Sequence, residues 1–167
     1  MTRGEVEEEI RQKLDMLRVP QPEFRLPIEF QNDNLPFVEG DGPYFKWLRR
    51  IDGKTNDERV VEGPELVFLT MEHLTMAMAR QVEKQTRTRK KAGLLTRLRA
   101  KGEYGAGLDN YSRKTWMDAH VRLMSAIHEG WGTRVRLKYD MMLKKFPLTK
   151  DERADARMVD LTQFGID

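Results

Sequence analysis

Three histidines, two serines and one glycine-rich hexapeptide are the residues of this 167-residue chain whose types could do chemistry. His120 and His128 lie two helical turns apart, so they share a face but are separated by roughly 12 Å along the axis, too far to chelate one ion directly. Neither they nor His73 belongs to a His-Glu-x-x-His pattern. Ser112 and Ser125 fall in helical patterns without the strand-to-helix elbow of a serine nucleophile. Asp118 and Asp140 are unexceptional in a chain that is 34% charged. The stretch Gly102-Glu103-Tyr104-Gly105-Ala106-Gly107 matches neither a Walker nor a dinucleotide spacing, and no strand precedes it, so it reads as an interhelical loop. There is no cysteine, which removes disulfides, thiolate metal sites and cysteine nucleophiles. The expectation is a protein with no catalytic set, no metal centre and no cofactor, whose function lies in what it binds.

The charge pattern narrows the partner. Formal net charge is +3, and the chain is 39% apolar, a globular balance. The cations are concentrated from Arg80 to Lys101, where Arg87, Arg89, Lys90, Lys91, Arg97 and Arg99 form a basic patch against the single acid Glu83. Such a run meets phosphates, an anionic membrane or an acidic protein face, or is a solvated surface. It contains no Phe, Tyr or Trp on which bases could stack, which weakens a nucleic-acid reading without removing it. The acidic start gives no secretory signal, and apolar runs such as Leu66-Val67-Phe68-Leu69 are too short to span a bilayer. A cytoplasmic protein without membrane contact is expected.

These residues must be positioned by a mostly helical α+β fold: one β-hairpin or small antiparallel sheet packed against four or five helices, as a single domain over 1–167. Residues 5–18 pattern as a first helix, with Ile10, Leu14 and Leu17 on one face. Pro20, Pro22 and Pro27 impose an extended arm over 19–43, along which Phe24, Leu26, Ile28 and Phe30 alternate. Tyr44 to Ile51 alternates as a strand, Asp52-Gly53 signals a turn, and Glu58 to Glu62 reads as the returning strand, with a loop longer than two residues. Gly63-Pro64-Glu65 opens a long helix with Val67, Met71, Leu74, Met78 and Val82 in one stripe, continued by the basic segment. Its Met residues fit gap-filling in a core or the lining of a groove. Asp109-Asn110 supplies capping chemistry for the next helix. Trp116, His120, Leu123 and Ile127, then Trp131, Val135, Tyr139, Met142 and Phe146, describe two amphipathic helices joined at Gly130-Trp131-Gly132. Thr149 with Glu152 fits a capping box opening a short helix, and 149–167 is that helix with a docked or frayed tail.

From Tyr44 to about Leu148 the chain resembles a bacterial family of polymorphic-toxin immunity proteins, the one numbered sixty-three. The resemblance is carried by Glu65-Leu66-Val67-Phe68, Met76-Ala77-Met78-Ala79, Ser112-Arg113-Lys114 with Trp116, Trp131 with Arg134, and Leu143-Lys144-Lys145-Phe146-Pro147. It departs at the hairpin tip, Arg50-Ile51-Asp52-Gly53, where the family favours Glu-Arg-Gly, and in a longer basic and glycine-containing insert before Asp109. The resemblance implies a non-enzymatic antidote that binds a cognate toxin domain stoichiometrically. On that reading the hairpin with the neighbouring helix faces contacts the partner, with Tyr44 and Trp47 as candidate anchors and Arg49, Arg50 and Arg59 as candidate charged contacts. Equally, Trp47 is a core residue and the arginines guard a strand edge. A basic nucleic-acid-associated accessory protein is the alternative.

Overall fold

A computed structural model describes residues 1–88 and 109–167. Among the described residues there are five α-helices and a three-stranded antiparallel sheet, an α+β and mostly helical architecture. The chain divides into two compact units, Met1–Leu74 and Thr75–Asp167.

In the first unit, helix α1 (Arg3–Met16) begins two residues earlier than the apolar pattern indicates, because Thr2 and Glu5 form a capping box. Val6, Ile10 and Leu14 are its buried stripe. Glu7 also turns inward, where its carboxylate accepts the Leu26 amide at 3.0 Å and lies 3.7 Å from Arg25. The proline-rich arm is thereby pinned to α1 at Leu26, which is buried, while Ile28 and Phe30 are exposed.

The arm ends in a strand absent from the sequence expectation. β1 (Pro36–Glu39) pairs antiparallel with β2 (Tyr44–Ile51), which pairs with β3 (Lys54–Glu62), in the order β1-β2-β3. Pro36 hides β1 from a sequence reading, yet a proline is tolerated at the first residue of an edge strand. The hairpin turn is two residues, shorter than expected: Ile51 pairs with Lys54 across Asp52 and Gly53, both at positive φ. That is the primed turn that matches strand twist. The Asp33 carboxylate accepts both turn amides, at 3.1 and 3.4 Å. A bulge between Arg49 and Arg50 shifts the register, placing Arg49 opposite Asp57 and Arg50 opposite Thr55. Asn56 is the extra residue, and the strand expected over Glu58 to Glu62 begins four residues earlier, at Lys54, ahead of that bulge.

Helix α2 (Gly63–Gln85) starts at the expected Gly-Pro-Glu and stops at Gln85; the basic segment does not continue it through Arg87. Thr86 closes its end by donating its hydroxyl to the Glu83 carbonyl at 2.8 Å. The remainder of the basic segment, with the glycine-rich loop, lies outside the described residues.

In the second unit, α3 (Arg113–Ile127) and α4 (Glu129–Lys145) pair closely. Ser112, not Asp109 or Asn110, caps α3 by accepting the Thr115 amide. His128 alone separates the helices and caps α4 with its ring nitrogen, so Gly130-Trp131-Gly132 forms the first turn of α4 rather than the junction. Gly132 is required by proximity, since a Cβ there would lie 1.8 Å from the Ser125 hydroxyl oxygen. Helix α5 (Lys150–Ala154) carries the expected Thr149–Glu152 capping box. The tail beyond is docked, with Val159, Leu161 and Phe164 buried and Arg122 donating to the Val159 carbonyl at 2.9 Å.

Candidate partner-binding surface

The hairpin sorts the five expected contact residues into different environments. Tyr44 is 60% exposed, and Val60 beside it is 65% exposed. The pairing Tyr44↔Glu62, Lys46↔Val60 and Leu48↔Glu58 puts these six residues on one face, where all are exposed except Leu48, which is buried. Lys46 and Glu58 approach to 4.0 Å across it. None of the nine residues of β3 is buried, and β3 is an outer strand of the sheet.

Trp47 faces the other way with Phe45 and is only 7% exposed, so it belongs to the core and is no exposed anchor. Arg59 shares the Trp47 face and is held by Asp57 through bonds of 2.9 and 2.8 Å; this pairing and the field of Glu65 and Glu72 raise its pKa. Arg50 lies over the Phe30 and Phe37 rings, 5.2 and 5.3 Å from their centroids. Arg49 is half-buried, and its Nε has no hydrogen-bond partner. The hairpin therefore presents Tyr44 and Val60 outward, while Arg50 packs on Phe30 and Phe37 and Arg59, itself exposed, pairs with Asp57 of its own strand.

In the second unit, charge is organised around Glu83, the single acid of the basic run. Glu83 is fully buried, and its carboxylate accepts Arg87 at 2.7 and 2.9 Å and the Ser112 amide at 3.2 Å, with Arg157 3.7 Å away. Arg87 also reaches Asp109 at 3.4 Å and lies over Tyr111. Arg157 in turn grips Asp155 and donates to the Asn110 and Thr86 carbonyls. Arg87 is thus a strut of this network rather than a free member of a basic patch. Arg89, Lys90, Lys91, Arg97 and Arg99 lie outside the described residues.

The Ser112–Trp116 motif is likewise structural. Arg113 clasps Glu152 with two 2.8 Å bonds and donates to the Phe146 and Pro147 carbonyls. Its guanidinium holds the Glu152 carboxyl down at about 2. Lys114 and Thr115 bind the Asp155 carbonyl and carboxylate, at 2.7 and 2.8 Å. Arg157, ahead of Thr115, holds the Asp155 carboxyl far below the ordinary carboxylate range. Trp116 is buried beneath the Arg80 guanidinium, 4.7 Å from its centroid, and edge-on to Tyr139.

His120 is buried and bridges two hydroxyls: Nδ1 meets Tyr139 Oη in a short bond, and Nε2 meets Thr75 Oγ1 at 3.0 Å. Thr75 donates to the Met124 sulfur, so the assigned pattern has Nε2–H donating to Thr75 and Tyr139 donating to Nδ1. The ring is satisfied and shielded, the arrangement of a core histidine rather than of a general base at a surface cleft. Among the described residues no group of three His, Asp or Glu could hold a metal ion, and no helix is long and apolar enough to cross a membrane.

Comparisons with protein-family models, with curated proteins and with solved structures return no match.

Proposed function

We propose that the protein is an antidote that neutralises a bacterial toxin in the cytoplasm by stoichiometric binding, without catalysis, and that the outer face of the hairpin is its contact surface. One observation carries the choice of surface: Tyr44 and Val60 lie diagonally across β2 and β3 at the exposed end of one sheet face, and β3 has no buried residue. An exposed aromatic with an exposed β-branched neighbour supplies the apolar anchor that tight interfaces need, and Lys46, Glu58 and Glu62 supply a charged rim. Charges along β3 keep that edge from pairing indiscriminately while leaving it open to one complementary partner. The sequence resemblance supports the toxin-neutralising role. The nucleic-acid alternative loses Arg87, which is committed to Glu83 and Asp109.

The experiment is co-expression with the product of the adjacent upstream gene, scoring host survival and recovery of a one-to-one complex. Rescue with a complex is the expected result. Tyr44→Ala combined with Val60→Glu then weakens the complex at least about tenfold, roughly 1.4 kcal/mol or more, with an unchanged circular dichroism spectrum. Toxicity that persists without a complex would sink the antidote reading. A rescued complex indifferent to both substitutions would move the interface elsewhere.

A further inference from the structure

His120 ties together three helices of the second unit. Its Nδ1 meets the Tyr139 hydroxyl on α4, and its Nε2 meets the Thr75 hydroxyl of α2 at 3.0 Å. Thr75 in turn donates at 3.1 Å to the sulfur of Met124, one turn along α3 from His120. In the assigned tautomer every hydrogen of this chain points one way: Tyr139 to His120, His120 to Thr75, Thr75 to Met124. Thr75 and Met124 are fully buried, His120 is 1% exposed and Tyr139 is 9% exposed. The titratable groups within a turn of these contacts are Glu72 and His73 on α2, Asp118 and Arg122 on α3, and Arg136, Lys138 and Asp140 on α4. None of them is buried. Arg80 adds a cation over Trp116, one turn before His120. These exposed and half-buried charges are screened and of both signs, so they offer a proton on the ring little net attraction.

We propose that His120 is an acid-sensitive latch, whose protonation releases α3 from α4 and from the Thr75–Gln85 end of α2. A charged imidazole donates at both nitrogens, so Tyr139 must turn from donor to acceptor and the one-way chain is broken. The ring also carries its charge between two neutral hydroxyls in a site closed to water, where burial disfavours the charged form. Unfolding returns the ring to water, where it takes up the proton freely. The unfolded chain therefore binds more protons than the native one, and stability falls as pH drops through the ordinary histidine range around 6.5. The Arg113 guanidinium holds the Glu152 carboxyl at about 2, well outside that window. His128 is exposed at the helix junction and caps α4 on its own account. The latch couples the packing of three helices to one proton: closed at neutral pH, open in a mildly acid medium.

Urea melts of the full chain at pH 7 and pH 5, followed by circular dichroism, test the latch. The unfolding equilibrium constant should rise by more than about fivefold on acidification, where a single ring kept neutral in the native state allows about 25-fold. His120→Gln, which offers the two hydroxyls an amide that does not titrate, should hold the rise below about threefold. His73→Gln combined with His128→Asn should leave it intact, since asparagine still accepts the Gly130 amide. Ring proton resonances of the native chain give a second reading should His120→Gln fail to fold. The His120 ring stays in its neutral position until the amides of 113–145 lose their hydrogen-exchange protection. The latch is overturned by a rise below about fivefold in the native chain or in the His73 and His128 double variant, or above about threefold in His120→Gln. It is equally overturned by a His120 ring that charges while those amides remain protected.

Discussion

Among the described residues each buried carboxylate, Glu7, Glu83 and Glu152, accepts from a specific donor, and Glu152 shows what that is worth. Arg113 and the Thr149 and Arg113 amides all donate to its carboxylate, and they set its pKa near 2 against an ordinary 4.5. A depressed carboxylate stabilises the fold fully above its unfolded pKa and loses that contribution as pH falls through the folded value. Glu152→Gln therefore costs about 2 kcal/mol in urea melts at pH 7, and the gap to the native chain shrinks by more than half by about pH 3. Equal destabilisation at both pH values would show that packing, not charge, is what Glu152 contributes. His120 obeys the same rule in neutral form: Tyr139→Phe strips Nδ1 of its donor and costs about 1–2 kcal/mol in the same assay, with the α-helical spectrum retained. Neither network was legible in the sequence. Glu83 and Asp155 are ordinary acids there and Glu152 is read only as a capping residue, and their arginine partners lie 4, 39 and 2 residues away, separations that carry no common signal.

At the scale of elements, periodicity and caps were the readable features. The Thr149–Glu152 box and the Gly-Pro-Glu start fall where the sequence places them because one is a bond, and the other a backbone preference, of residues close in the chain. What failed was non-local or locally ambiguous. β1 exists through its pairing with β2, which no local pattern announces in a proline-rich arm. The bulge at Arg49/Arg50 broke the alternation of β3. Gly130-Trp131-Gly132 looked like a helix breaker, yet Gly132 serves the close approach of α4 to Ser125. Gly132→Ala should therefore destabilise by about 1–3 kcal/mol despite raising intrinsic helix propensity, because its Cβ overpacks the crossing. Gly4→Ala, whose Cβ meets nothing within 4 Å, should shift the melting temperature upward instead. A gain from both substitutions would contradict the tight crossing.

For the whole molecule, the decisive quantity is how binding responds to salt. Nine cations between Arg80 and Lys101 face one acid, and a chain that used them on phosphates would release a counterion at each contact. With six or more such contacts, affinity for duplex DNA would fall by about 10³–10⁵ between 50 and 200 mM salt. Two of its three described cations are spent differently: Arg80 lies over Trp116 and Arg87 is locked to Glu83 and Asp109, while Lys84 is exposed. The hairpin's exposed pair, Tyr44 and Val60, is uncharged, and burying it against a partner involves desolvation rather than counterion release. Its rim charges tune encounter rates more than final affinity. The complex with the neutralised partner should accordingly lose less than about tenfold in affinity over the same salt interval, most of it in the association rate, as measured by surface plasmon resonance. A loss of several orders of magnitude would place the binding energy in the basic run and return the nucleic-acid reading to the front.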